Sequence, residues 1–150
     1  MYCLLGTKSK QFLSVAFLVL AGSANMAYAA DIVTLTGKLT GATEVPGNAS
    51  AGMGTVEATL DTETKVLKWK VDYAGLSGPA GAGHFHGPAP AGQNAAVALG
   101  FKGSVESPIM GEATLTPEQA NALLNGQWYV NLHTKAYPGG EIRAQIMPAK

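Results

Sequence analysis

Residues 55–73, TVEATLDTETKVLKWKVDY, alternate apolar and polar side chains on either side of a polar turn. Successive side chains of an extended chain point to opposite faces, so this pattern predicts two strands that each bury one face. The turn at residues 61–64 is short and polar, which favours pairing of the two strands as an antiparallel hairpin. The hairpin indicates a β-protein whose sheet has one face against a core.

The same alternation recurs between turns that are rich in glycine and proline. It predicts further strands at residues 32–36, 95–101, 128–134 and 141–147, and one that ends at 114–115, whereas residues 75–83 are predicted as turns. One helix is predicted because Thr116 can cap it, Pro117 suits its first position and Gln119 completes a capping box. Gly126 marks its end. About seven strands with one short helix in a connection predict an all-β fold, an antiparallel Greek-key β-sandwich.

The first 29 residues have the pattern of a signal peptide. Lys8 and Lys10 precede an apolar run at residues 12–20, and Ala27-Tyr28-Ala29 supplies the small residues of a cleavage site. The run is shorter than the roughly 20 residues that span a bilayer, which disfavours the alternative of an uncleaved anchor. The sequence therefore predicts a signal peptide at 1–29 and one domain at 30–150, periplasmic or secreted.

The charge and cysteine content exclude several classes of function. The 10 basic and 10 acidic residues are scattered, without the basic patch that binds nucleic acid or an anionic membrane. The single cysteine, Cys3, lies in the predicted signal peptide, so the exported domain has no disulfide and no thiol chemistry. Motifs of nucleophilic, phosphate-binding and dinucleotide-binding enzymes are absent from the sequence. The protein is predicted not to be an enzyme, and any catalysis would need a bound metal.

The three histidines of the chain, His84, His86 and His133, are the main candidates for chemistry. His84 and His86 are two residues apart, so in an extended chain they share one face, with Cα atoms about 7 Å apart. His133 lies on the polar face of its strand beside Tyr129 and Asn131. A His-x-His pair on one strand and a third histidine on another can form a metal site of three imidazoles. Copper is the expected ion and zinc the alternative; the simpler interpretation is three solvated side chains.

Other side chains are weaker candidates for metal ligands. Thioether ligands for a soft ion are available at Met53, Met110 and Met147. Glu44 and Glu141 could supply a carboxylate ligand or accept a hydrogen bond from an imidazole N–H. Each has a simpler interpretation, namely a core or sheet-edge position for the methionines and solvation for the two glutamates. Glu141 and Arg143 also have the spacing of an ion pair on one face of a strand. The two tryptophans, Trp69 and Trp128, are interpreted as core residues.

Motifs along most of the chain resemble those of the CHRD domain, a module first described in chordin and also found alone in bacterial exported proteins. They span roughly residues 32–147: LTGATEVP at 39–46, YAGL at 73–76, GHFHGPA at 83–89, LT at 115–116 with Leu124 and Gly126, YVNLHT at 129–134 and PGGEIRAQI at 138–146. Phe85, Ala144 and Gly47 depart from the usual family residues, but all three histidines are kept. The resemblance implies a β-sandwich similar in outline to Cu/Zn superoxide dismutase, which also binds copper through a His-x-His pair.

These observations favour an exported metal-binding protein that acts in metal binding, delivery or detoxification. Its expected partner is a metal ion, and the sequence does not identify a protein partner. Two alternatives stay open. One is an interaction module with structural histidines, as the place of the domain in an animal growth-factor antagonist implies. The other is an enzyme similar to superoxide dismutase, which is disfavoured because such a site uses more ligands than three histidines.

Overall fold

The computed structural model describes residues 31–149, and the predicted signal peptide lies outside this range. These residues form eight strands and one helix, and a short 3-10 turn at Gly41–Thr43 follows the first strand. In chain order, the strands and the helix are β1 (Ile32–Thr40), β2 (Met53–Asp61), β3 (Val66–Ala74), β4 (Ala80–His86), β5 (Val97–Gly100), β6 (Ile109–Thr114), α1 (Pro117–Leu124), β7 (Trp128–Thr134) and β8 (Ile142–Pro148).

All eight strands belong to one antiparallel sheet, in the order β5-β4-β7-β8-β1-β2-β3-β6. The sheet curls until its two halves face each other, so that the ring centroids of Trp69 on β3 and Phe85 on β4 are 5.2 Å apart. The pairs β4–β7, β8–β1 and β3–β6 join strands that are distant in sequence, as Greek-key connections do. This confirms the predicted antiparallel β-sandwich class, with the two halves joined in a single curled sheet.

The core lies on the inner face of the curled sheet. It is built from the alternating apolar residues of every long strand, for example Leu35, Val56, Leu67 and Val130, all of which are fully buried. Both tryptophans belong to it, as predicted, with Trp69 and Trp128 at 7% and 1% exposure. The polar side chains between these positions therefore lie on the outer face of the sheet.

The helix begins and ends as its sequence predicts. Thr116 Oγ1 accepts from the Gln119 N–H at 3.2 Å, and Gln119 Oε1 accepts from the Thr116 N–H at 2.9 Å, which completes the capping box. Gly126 follows the last turn with a φ of 68°, a conformation that favours glycine. No helix within residues 31–149 is long and apolar enough to cross a bilayer.

Two sequence predictions of strands need correction. Residues 80–83 were expected in a turn but belong to β4, so the sheet has eight strands rather than about seven. Small residues suit this strand, because a side chain at Gly83 would place its Cβ 2.6 Å from the Phe101 ring and 2.8 Å from Leu132. The strand predicted at 95–101 covers only Val97–Gly100. Its first residues belong instead to a loop that covers the outer face of the sheet.

Loops bury part of the outer face where β4, β7 and β8 lie side by side. Tyr129 and Asn131 on this face are only 2% and 3% exposed, although they alternate with core residues. Residues 41–52 form one covering loop and residues 87–96 the other. They contact each other where the Asn94 amide donates to the Val45 carbonyl at 2.9 Å. All three histidines lie on this partly covered face.

Candidate metal centre

Strands β4 and β7 bring the three histidines together. In their antiparallel register, His84 is opposite Asn131 and Ala82 is opposite His133. Because alternate residues of a strand share a face, His84, His86 and His133 all point to the outer face. The predicted grouping of these side chains is therefore present, and it depends on a pairing between residues about 50 positions apart.

The potential ligand atoms of the three imidazoles lie within 4.8 Å of one another. The closest pair is Nδ1 of His84 and Nε2 of His133, at 3.2 Å. Two nitrogens bound to one tetrahedral ion at bonds of about 2 Å are about 3.3 Å apart, so this separation suits a shared ion. The ring centroids of His84 and His86 are 5.6 Å apart.

Backbone carbonyls select the nitrogen that each of two rings offers. Nδ1 of His86 is 3.0 Å from the Ala95 carbonyl oxygen, and Nδ1 of His133 is 3.0 Å from that of Pro138. A carbonyl only accepts, so Nδ1 carries the proton and donates, and Nε2 is the nitrogen of each neutral ring that keeps a lone pair. Among the described residues, Nε2 of His86 has no partner, whereas Nε2 of His133 lies beside His84 and Asn131. Metal-binding histidines are commonly held by such a bond from their other nitrogen.

Nε2 of His86 is buried and has no hydrogen-bond partner among residues 31–149. The residue as a whole is 9% exposed, so solvent provides little compensation. Buried polar atoms are normally paired, and an unpaired one indicates a missing partner. A free imidazole lone pair beside two further imidazoles fits a metal ion chemically.

The local environment favours neutral histidines. Burial lowers the pKa of His84, and the neighbouring His133 and His86 lower it further. Burial also lowers the pKa of His133, partly opposed by its bond to the Pro138 carbonyl. The neutral ring is the form that binds a metal, so the lowered pKa values favour the binding form of His84 and His133.

Buried polar groups surround the cluster on the outer face. The Tyr129 ring lies parallel to the His86 ring, with an interplanar angle of 1° and centroids 4.8 Å apart. Arg143 covers the other face of Tyr129, with its Cζ 3.3 Å from the ring centroid. Near His133, Oδ1 of Asn131 is 3.0 Å from Nε2. The pKa of Glu44 is raised by burial and partly lowered again by Arg143.

The structure corrects the interpretation of the two glutamates as solvated carboxylates. Glu44 is 8% exposed and Glu141 is fully buried. The carboxylate of Glu141 accepts hydrogen bonds from Ser50, Ser77 and Thr134, and Arg143 bonds instead to the loop at residues 93–94. The ion pair expected between Glu141 and Arg143 is therefore absent from the described structure.

The methionines considered as soft ligands are far from buried. Met53, Met110 and Met147 are 64%, 70% and 50% exposed, on β2, β6 and β8. A core position is thus wrong for all three methionines, whereas the alternative of a sheet-edge position is correct for Met110 on the edge strand β6. The buried environment of Tyr129, Asn131 and Arg143 was not predicted from the sequence. Its one available signal was that Tyr129 and Asn131 share the strand face of His133.

The fold and the cluster define a β-sandwich domain with three histidines on its outer face. The model of the CHRD domain family matches residues 35–146, and the chain belongs to this family. Neither a curated protein nor a solved structure gives a significant match to the chain.

Proposed function

We propose that this CHRD-domain protein binds one metal ion through His84, His86 and His133, and that the ion is copper. The observation that carries the proposal is the buried, unpaired Nε2 of His86 beside the close nitrogens of His84 and His133. Leaving a buried acceptor unpaired costs about 1–3 kcal/mol, which coordination would recover. A solvated surface histidine would have no such atom.

The donor set supports copper, with zinc as the alternative. The cluster consists of neutral imidazoles, and within residues 31–149 neither a thiolate nor a carboxylate belongs to it. Imidazole ligands suit both ions, and divalent copper binds such sites more tightly than zinc in the Irving–Williams order. These ligands hold an ion without the net negative charge that would attract calcium or magnesium.

The physiological role that we propose is the binding, delivery or detoxification of copper outside the cytoplasm. The pattern of a signal peptide at residues 1–29 supports export to the periplasm or beyond. A domain without cysteine is also resistant to the thiol oxidation that copper promotes. In this proposal, the residues of the chain bind and orient the ion, and no catalytic step is assigned to them.

The test is a titration of the purified protein without a histidine tag, after treatment with a chelator. Cu(II) and Zn(II) are titrated in air and Cu(I) under anaerobic conditions with a competing chelator. We expect one ion per chain, with copper bound more tightly than zinc. Single alanine variants of His84, His86 and His133 should each lose metal affinity. The loss should exceed the roughly 10–100-fold that substitutions of residues supporting the ligands typically cost.

Lys135→Ala is the matched control, because Lys135 is an exposed side chain only two residues from His133. It should bind like the parent. Circular dichroism of every variant separates loss of a ligand from loss of the fold. The proposal is wrong if the parent binds none of the three ions, or if the triple alanine variant binds them as tightly as the parent. In that case the contact between His84 and His133 is a structural hydrogen bond, as the interaction-module alternative requires.

A further inference from the structure

Tyr129 and Arg143 form a buried stack against the ring of His86. The rings of His86 and Tyr129 are parallel, and the guanidinium of Arg143 covers the opposite face of the tyrosine ring. Tyr129 and Arg143 are each only 2% exposed. The tyrosine ring thereby limits rotation of the His86 ring out of its observed plane.

The same two residues hold the loop that carries the Ala95 carbonyl. The Ala95 N–H donates to the Tyr129 hydroxyl at 3.1 Å. Arg143 donates to the Gln93 carbonyl at 2.6 Å and to Oδ1 of Asn94 at 3.0 Å. These bonds end on the two residues that precede Ala95. The Ala95 carbonyl accepts from Nδ1 of His86, so the loop position decides which nitrogen of that ring is protonated.

Packing alone does not account for a buried arginine at this place. Taking a guanidinium out of water is costly, and apolar side chains of similar volume often replace buried charged groups without loss of stability. Arginine instead offers several donors in a rigid planar arrangement. Here they form hydrogen bonds to a loop, while the guanidinium covers an aromatic ring. Both uses act on His86, the histidine whose Nε2 is buried and unpaired.

We infer that Tyr129 and Arg143 are positioning residues of the metal centre. Tyr129 sets the plane of the His86 ring, and Arg143 holds residues 93–95 so that the Ala95 carbonyl keeps the proton on Nδ1. Nε2 of His86 is thereby directed at His84 and His133 before an ion arrives. The inference rests on the proposed function for its purpose, but the orientation of His86 is measurable in the metal-free protein.

The first test compares Tyr129→Leu with Tyr129→Phe. Leucine removes the stacked ring, whereas phenylalanine keeps the ring and removes only the hydroxyl. We expect Tyr129→Leu to bind the ion about 10–100-fold more weakly than the parent, with an altered electron paramagnetic resonance spectrum of the Cu(II) form. Tyr129→Phe should recover most of the affinity and the parent spectrum. Equal affinity and an unchanged spectrum in Tyr129→Leu would overturn the role of the ring.

The second test measures the tautomer of His86 by nitrogen-15 NMR of the metal-free protein. The parent should show the proton on Nδ1 of His86. Asn94→Ala, at an exposed loop position, removes one acceptor of Arg143 and also the donor to the Val45 carbonyl, so it should leave the core folded and yield a mixture of tautomers. Arg143→Gln should give a larger effect if it folds. Asn125→Ala, at the exposed end of α1, is the control and should match the parent.

The two tests separate failure of the inference from failure of the proposed function. An unchanged His86 tautomer in both Asn94→Ala and a folded Arg143→Gln would overturn the role of Arg143, whatever the protein binds. If the parent binds no ion, the proposed function fails and with it the purpose of the stack. A shifted tautomer in both Asn94→Ala and a folded Arg143→Gln, together with weaker binding and normal behaviour of Asn125→Ala, would support both.

Discussion

Nδ1 of His84 lies 3.2 Å from Nε2 of His133, although 49 positions separate the two residues in the chain. The two rings belong to paired strands. At this distance, positive charges on both rings would repel each other. Protonation of either ring is therefore linked to the stability of the fold as well as to any bound ion.

We expect the metal-free protein to lose stability as the pH falls below about 6.5, the ordinary pKa of histidine. The pKa values of His84 and His133 are lowered in the folded chain, mainly by burial. The unfolded chain therefore binds more protons between the lowered values and about 6.5, so acid favours unfolding there. Denaturant unfolding of the metal-free protein at a series of pH values measures this.

The buried Glu44 acts in the opposite direction, because its pKa is raised mainly by burial. A group of this kind makes the folded state more stable as the pH falls through its raised pKa.

Comparison with His133→Ala isolates the histidine effect, since that variant should lose much of the decline in stability below about pH 6.5. A parent and a variant with the same pH dependence would contradict the prediction.

Glu141→Gln should destabilise the protein by about 1.5–3 kcal/mol. Burial alone would raise the pKa of Glu141, but bonds from Ser50, Ser77 and Thr134 outweigh it and lower the pKa. Glutamine has one oxygen acceptor for donors that now bond to both carboxylate oxygens. Denaturant unfolding measures this change, and Glu63→Gln, which replaces an exposed carboxylate, is the control. Equal unfolding midpoints for the two variants would show that the buried carboxylate contributes nothing.

Thr116→Ala should lower the free energy of unfolding by about 1 kcal/mol, because the helix loses its N-terminal cap. The threonine hydroxyl is the acceptor for the Gln119 N–H in the observed capping box. Thr116→Ser keeps an equivalent hydroxyl and should unfold close to the parent. The measurement is the midpoint of urea unfolding, provided that the slope of the unfolding free energy against urea concentration is unchanged. A Thr116→Ala midpoint equal to that of the parent would disprove the capping role.

The exported protein should begin at Ala30, within about one residue, after cleavage of the signal peptide. The prediction follows from Lys8, Lys10, the apolar run at 12–20 and the sequence Ala27-Tyr28-Ala29. Intact mass spectrometry of protein from the extracytoplasmic fraction measures the first residue. Ala29→Glu should block processing because the cleavage site needs a small residue. Exported parent protein that still starts at Met1 would rule out cleavage.

The sequence alone was sufficient for features that depend on neighbouring residues. Alternation at residues 67–73 predicted β3 and its buried face, because side-chain direction in a strand depends only on position along the chain. The capping box of Thr116 and Gln119 was predictable because both partners lie within one helical turn. The shared face of His84 and His86 followed from their spacing, and the family motifs led to the CHRD fold.

Only the tertiary structure decided what surrounds the three histidines. The distance between His84 and His133 depends on the register of β4 with β7, which the whole sheet sets. The burial of Glu44, Tyr129 and Arg143 depends on two loops that fold back over a sheet face whose alternating polar pattern is typical of a solvated surface. Strand periodicity reports which way a side chain points, whereas long-range packing decides whether water or another part of the chain meets it.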